Sequence, residues 1–415
     1  MNVFIISETA YRLGGAEVVA LKSAKGLAER GHQVTVLAAE GPADPDLENV
    51  PNLRVLYVEE PEGEKMAPHK TRQFWRKGPR ELVKKELAKA DKNDSVIHFH
   101  SGANLFGASS FGPLADAGIP IIYTHHDFGW GCPMQGFYNM AKQRPCGVRG
   151  GSLKCFGTCC PGNARFYRYK VYRFLRHQAT HNWSGIEGAV RQHIFVSKTS
   201  QERLMPYLPH LAKTQVVPNP IEVEKRDPAR IEAGAPFTFV GRMTAEKDPV
   251  TLARAAKAAN VPVLFIGDGP MTEQVRNANP DAEFTGWLPP QAVQERIRSS
   301  RAVVMTSRCY ETQGMVIPEA FSAGIPVIAP TVTAAPEYVK SGETGFLFEA
   351  GDVAQLAHLL ADMDDVELAR RMGANAYRQF WDDAPTLEAH LNRLETIYEQ
   401  CVGTEGAMRR RLQAA

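Results

Sequence analysis

"YETQGMVIPEAFSAGIPVIAP" spans residues 310–330. Two glutamates, Glu311 and Glu319, stand eight positions apart, with Gly314 between them and Gly324 after them. An apolar run, Ala302–Met305, precedes the stretch, and another, Pro326–Ala329, closes it. The pattern reads as strand, glycine-containing loop, short helix over Met315–Ala323, strand. Gly314 lets the backbone approach a ligand closely. Glu311 from the loop and Glu319 from the helix then reach different parts of one bound molecule. Buried strands joined through helices mark a parallel α/β sheet.

The same alternation extends both ways. Phe237–Val240, Pro262–Ile266 and Glu283–Thr285 read as strands. Asp248–Ala259, Met271–Asn277, Gln291–Ser299, Asp352–Met363 and Val366–Tyr377 read as helices. Upstream of a proline- and charge-rich break at Pro218–Pro236 a first series runs through Val3–Ser7, Gln33–Leu37, Leu53–Val58, Ser95–Phe99, Ile119–Thr124, Ala189–Val196 and Thr214–Val217. Between the first two of these, Gly14-Gly15 opens a helix over Ala16–Arg30 that Gly31 stops. The expectation is an α/β protein of two Rossmann-like, doubly wound domains, 1–220 and 221–385. A final helix over Leu387–Glu399, within 386–415, is expected to pack back on the first domain. Ligands of open α/β sheets sit beyond the strand C-termini, so a cleft between the domains is the expected site.

With 415 residues, 44% hydrophobic and 23% charged, the chain folds into more than one core. A net charge of +2 does not call for nucleic acid. No stretch reaches the roughly 18 uncharged apolar residues of a membrane span. The N-terminus MNVFIISETAYRLGG reads as a core strand, not a leader, so cytoplasmic residence is expected.

Several motifs now line up. Gly14-Gly15-Ala16-Glu17, Thr124-His125-His126-Asp127, Val240-Gly241-Arg242 with Glu246-Lys247-Asp248, Gly267-Asp268-Gly269-Pro270, the double-glutamate stretch and Gly342-Glu343-Thr344-Gly345 occur in this order. Together they resemble the family 4 glycosyltransferases, retaining enzymes of the GT-B fold, over nearly the whole chain. Gln313 departs from the family, which often has phenylalanine there, and Pro220 stands where glycine usually follows the asparagine. The resemblance implies transfer of a hexosyl unit from a UDP- or GDP-linked sugar to a saccharide or lipid-linked saccharide acceptor, in surface-polysaccharide assembly. It implies an acceptor-binding first domain and a nucleotide-sugar-binding second domain, with no cofactor or catalytic metal required.

The residues carry these roles chemically. Arg242 and Lys247 follow a strand and suit a leaving diphosphate, which gains charge as the sugar bond breaks; spacing alone also fits a solvated strand end. By the resemblance, Glu311 accepts hydrogen bonds from the donor sugar and Glu319 from the ribose. Gly241, Gly269 and the amides of Gly314, Met315 and Val316 line the donor. Gly14 and Gly15 open a helix N-terminus that favours an anion, or form a plain tight turn; GGAE is not a dinucleotide fingerprint. His126 is the first-domain active-site candidate, bonding to the donor sugar, and Asp127 orients it or meets the acceptor. His98 and His100 alternate on one strand face and read as hydrogen-bonded core histidines, with His100 nearer the strand end. Asn219 reads first as a hinge or cap.

Seven cysteines are present, five of them within 132–160. The Cys146, Cys155 and Cys159 region allows a structural zinc site; free thiols and a disulfide are the other readings. Residues 65–92 hold ten Lys/Arg against three Asp/Glu, and 141–180 hold nine and none. The second run interleaves Phe166, Tyr167, Tyr169, Tyr172 and Phe174, which suits an anionic membrane face, a phosphorylated acceptor or simple cover. Competing functions are a non-catalytic nucleotide-sugar-binding protein on the same fold and a phosphorylase-like transferase.

Overall fold

A computed structural model describes residues 1–59, 75–100, 104–161 and 164–403. Residues 65–74 of the basic run and the tail beyond 403 lie outside them. Contacts divide the chain into two units. The first comprises Met1–Gly136, Val148–Pro220 and the stretch from Leu387; the second comprises Phe137–Gly147 and Ile221–Thr386.

Strands run in chain order as β1 Asn2–Thr9, β2 Gln33–Glu40, β3 Leu53–Tyr57, β4 Ser95–His100, β5 Ile121–His125, β6 Tyr138–Asn139, β7 Arg144–Pro145, β8 Val190–Phe195, β9 Thr214–Val216, β10 Phe237–Val240, β11 Val263–Ile266, β12 Glu283–Gly286, β13 Ala302–Val304, β14 Val327–Pro330 and β15 Gly345–Phe348. Helices are α1 Gly15–Glu29, α2 Lys77–Leu87, α3 Phe111–Asp116, α4 Leu153–Gly157, α5 Ala164–Gln178, α6 Ile186–Ala189, α7 Lys198–Leu204, α8 Pro249–Ala259, α9 Thr272–Ala278, α10 Pro290–Arg298, α11 Val316–Ser322, α12 Val353–Met363, α13 Val366–Asp382 and α14 Leu387–Val402.

The described residues of the first unit form a seven-stranded parallel sheet in the order β3-β2-β1-β4-β5-β8-β9. Those of the second form a six-stranded parallel sheet, β12-β11-β10-β13-β14-β15. Both follow the doubly wound order in which the first and fourth strands lie side by side and the winding reverses. Ligands favour the C-terminal ends at that reversal, here β1/β4 and β10/β13. β15 was not read from the sequence, and neither was the β6/β7 hairpin, which groups with the second unit.

The central strands are buried on both faces, so they read as continuous apolar runs. α1 buries Val19, Ala20, Leu21, Ala24, Leu27 and Ala28. α14 packs on it with Leu391, Leu394, Ile397 and Tyr398. Gly26 permits this approach, because a Cβ there would lie 2.5 Å from Leu391 Cδ1. At the margin Arg30 and His32 reach Glu395 at 2.6 and 2.9 Å. In the second unit Phe237, Phe239, Phe265, Ile317 and Phe321 anchor a separate core. Among the described residues no helix is long and apolar enough to cross a membrane.

Candidate active site

In the second unit, the loops after β10 and β13 meet at the winding reversal. The turn at Thr244–Asp248 closes through Lys247 N and Asp248 N, both donating to Thr244 O, at 3.1 and 3.0 Å. The β13 loop ties itself to this turn. Thr306 Oγ1 donates to Lys247 O at 2.8 Å, Arg308 N donates to Glu246 O at 2.8 Å, and the Arg308 guanidinium pairs with Asp248. Lys247 Nζ lies 2.8 Å from Glu311 Oε1, and Ser307 Oγ donates to the same carboxylate oxygen.

These loops border a pocket of about 160 Å³ whose lining includes Val240, Lys247, Met305, Ser307, Glu311 and Gly314. Met315 and Val316 also line it. Burial pushes the Glu311 carboxyl up, but the Lys247 charge and hydrogen bond, with help from Ser307, hold it below the usual carboxylate range. Burial likewise depresses the Lys247 amine, and Glu311 more than reverses that. Both groups are therefore ionised at neutral pH.

Gly314 has φ +73°, the left-handed region that favours glycine, and its carbonyl accepts from Ile317 N at 3.0 Å to start α11. Glu319 lies one turn into α11 and is half-buried. Arg242 is exposed and, like Gly241, Gly269 and Glu319, is not among the pocket-lining residues. The Gly269 amide is already engaged, donating to Asp268 Oδ1 at 2.7 Å. Ser307 and Thr306 carried no sequence signal. Neither did Tyr138 of β6, whose phenol is pushed up to about 12 by burial and senses Arg308, Cys309, Asp248 and Glu246.

In the first unit, His98 and His100 lie at the C-terminal end of β4, and β5 delivers His126 and Asp127. His98 is pinned at both nitrogens, Nδ1 to Tyr398 Oη at 2.6 Å and Nε2 to Thr124 Oγ1 at 2.7 Å. His100 Nδ1 lies 2.8 Å from His126 Nε2. The Asn219 side chain also hydrogen-bonds His126, a role beyond the hinge or cap read from the sequence. Burial pushes the His126 imidazole down to about 3. Its neighbour His125 instead pairs with His193 at 3.0 Å.

Asp127 Oδ1 accepts from Gly129 N at 2.6 Å and so closes the turn that follows. Burial raises its carboxyl to about 6, against the Gly129 bond and the charges of Arg173 and Arg176. Glu8, on β1, is raised to about 8, first by burial; the Asn104 amide opposes this and Glu17 adds to it. Gly14 is extended, with φ −153°. A Cβ there would lie 3.1 Å from Glu17 Oε2, so a carboxylate stands at this helix start.

The cysteine region does not form the zinc site considered from the sequence. Among the described residues no group of three or more His, Cys, Asp or Glu is arranged to hold a metal. Cys146 belongs to the second unit, Cys155 and Cys159 to the first. The carbonyls ending α4 are gathered by an ammonium instead. Lys170, 1% exposed, donates to the carbonyls of Cys155, Phe156 and Thr158. Arg173 and Arg176 are buried too, so much of the charge on α5 faces protein rather than solvent.

A profile described as Glycosyltransferase Family 4 matches residues 13–225, and one described as Glycosyl transferases group 1 matches 235–363. The chain is 33% identical over 158 residues to sulfoquinovosyl transferase SQD2 of Arabidopsis thaliana, covering 35% of this chain and 31% of that protein. It is 31% identical over 182 residues to a GDP-mannose-dependent alpha-mannosyltransferase of Mycolicibacterium smegmatis, covering 43% and 45%. These matches thus span less than half the length of either relative. Sucrose-phosphate synthase from Thermosynechococcus elongatus superposes with a TM-score of 0.70 at 18% identity, over 96% of this chain and 98% of that one. The first profile alone spans half of the sequence, and the two parallel-sheet units match the GT-B architecture: the chain belongs to glycosyltransferase family 4.

Proposed function

We propose that the protein is a retaining glycosyltransferase that moves a hexosyl unit from a UDP- or GDP-linked sugar to a saccharide or lipid-linked saccharide acceptor, in surface-polysaccharide assembly. The observation that carries this reading is the Lys247–Glu311 pair in a pocket at the winding reversal of the second sheet. A cation beside a carboxylate suits a molecule with a diphosphate next to a polyhydroxylated ring. The second unit binds the donor and the first the acceptor.

Lys247, with Arg242 drawn in from its exposed position, faces the diphosphate. Glu311 accepts from sugar hydroxyls and Glu319 from the ribose. Amides of Gly314, Met315 and Val316 hold the sugar and diphosphate; Gly241 and Gly269 shape the adjoining loops, and Gly14 and Gly15 those of the first unit. His126 bonds to the donor sugar, and Asp127 faces the acceptor. Reaction follows a front-face route. The acceptor oxygen bonds to the anomeric carbon as its bond to the phosphate oxygen breaks, and the acceptor proton passes to that phosphate. Positioning and charge stabilisation supply most of the acceleration.

Contact with an anionic membrane face is proposed through α2. It carries Lys77, Arg80, Lys84 and Lys85, and a groove of about 700 Å³ beside it is edged by Trp75 and Trp183, 62% and 76% exposed. None of the residues lining this larger groove comes from β10, β13 or the loops that follow them, so the smaller pocket is taken as the donor site.

The test is a panel of UDP and GDP sugars with wild type, Glu311→Ala and Lys247→Ala, following binding and acceptor-dependent nucleotide release. One donor bound, lost in the variants and consumed with acceptor, supports the reading. Binding without turnover across a broad acceptor panel favours the non-catalytic binder. No binding to any donor overturns this pocket assignment and favours a sugar-phosphate-using enzyme.

A further inference from the structure

His100 and His126 meet through their ring nitrogens, and such a bond has one donor. Nδ1 of His100 lies 2.8 Å from Nε2 of His126, and the rings are stacked, with centroids 5.0 Å apart. Burial holds both imidazoles well below their ordinary range, so the pair is neutral at physiological pH. Two arrangements remain. Either His100 donates from Nδ1 and His126 is bare at Nε2, or His126 donates from Nε2 and His100 carries its own proton on Nε2.

The surroundings choose between them. His100 Nε2 is buried and has no hydrogen-bond partner among the described residues. The second arrangement would strand an N–H there; the first strands only a lone pair. A buried donor without an acceptor is the rarer and costlier defect. On the His100 side the first arrangement therefore prevails: His100 donates and the proton of His126 sits on Nδ1, and the Asn219 bond to His126 agrees with it when the amide oxygen is the acceptor.

His100 is itself braced. The His98 ring lies against it, with centroids 4.3 Å apart, and His98 is fixed by Tyr398 and Thr124. The brace thus starts on α14, crosses β4 and ends at His126.

We infer that His100 is a positioning residue for His126, fixing by its Nδ1–H the tautomer and ring plane in which His126 meets the substrate. The substrate part of this statement rests on the function proposed above; the tautomer part does not.

Two variants test it. His100→Asn keeps an N–H near the place of Nδ1, whereas His100→Phe keeps a ring and removes the donor. Proteins labelled with ¹⁵N in histidine report which His126 nitrogen is protonated, the signal being assigned by its loss in His126→Gln. Wild type and His100→Asn are expected to show His126 protonated at Nδ1; His100→Phe is expected to show protonation at Nε2 or a mixture. In the transferase assay His100→Phe should lower kcat roughly 10–100-fold with little change in donor KM, and His100→Asn should recover most of it. A His100→Phe protein with the wild-type His126 tautomer overturns the inference. So does a His100→Asn protein as impaired as His100→Phe when both melt like wild type. If wild type transfers no sugar, the proposed function fails, and the tautomer measurement alone decides this inference.

Discussion

Lys247 Nζ stands 2.8 Å from Glu311 Oε1, and the pair joins the loops that follow two adjacent strands, β10 and β13. Each charge is the other's partner until a ligand arrives. Lys247→Met leaves a carboxylate in a largely buried position. We expect it to lower stability by about 1–3 kcal/mol, less than a fully buried broken pair because Lys247 remains partly solvated. The double variant Lys247→Met/Glu311→Gln should recover part of the loss. Denaturant titration checks both; a double variant no more stable than the single would contradict the pairing.

The pH dependence of that pair has a definite sign. The folded Glu311 value is lowered, so its contribution is present above about pH 4.3 and is lost as pH falls through the folded value. The folded Lys247 value is raised, so its contribution is present below about pH 10.4 and is lost as pH rises through the folded value. The stability difference between wild type and the double variant should therefore stay flat from about pH 5 to 10. A difference that changes across neutral pH would rule this out.

Glu8 behaves oppositely. Its folded value is raised to about 8, chiefly by burial. The stability it supports is full below the unfolded carboxylate value and is lost as pH rises toward 8. Glu8→Gln keeps an acceptor for the Asn104 and Leu105 amides and removes the titration. The variant should gain on wild type by on the order of 4 kcal/mol between pH 5 and 9. Melting temperatures measured across that interval decide it; parallel curves would exclude a buried, protonated Glu8.

Lys170→Met removes the ammonium that gathers three carbonyls at the end of α4. The expected cost is about 1–3 kcal/mol, with earlier proteolytic cleavage near 155–161. Unchanged cleavage kinetics would show that the backbone there does not depend on this side chain.

Membrane contact through α2 predicts that Lys84→Glu/Lys85→Glu and Trp75→Ala reduce sedimentation with anionic vesicles, at roughly 1 kcal/mol per cation removed. Both lysines are exposed, so folding should be unaffected. Equal sedimentation of the variants would remove α2 from the contact.

Most strands of both sheets were legible because a strand buried on both faces is mainly apolar, as Val3–Ile6 are, and as are Phe237, Phe239 and Val240 around the buried Thr238. β15 was not, since Gly345–Phe348 is short and begins in a glycine turn. The β6/β7 hairpin has two residues per strand, too few to show a period. The His98-x-His100 alternation placed both rings on one face, but the bond to His126 depends on β4 lying beside β5, which no local pattern states. Lys170, Arg173 and Arg176 belong to a basic run that suited a membrane face, a phosphorylated acceptor or simple cover alike. Only the packed structure shows carbonyls and Gln135 around the first two. Ser307 acquires its place only when the loop folds back onto Glu311.

The path of the chain also sets an order of assembly. It leaves the first unit at Pro220 and re-enters it at Leu387. On the ribosome, the N-terminal sheet is therefore complete in strands long before α14 exists. Until residue 398 emerges, His98 lacks its tyrosine and the face around Ala24 stays uncovered. The first sheet to be synthesised is the last to be finished.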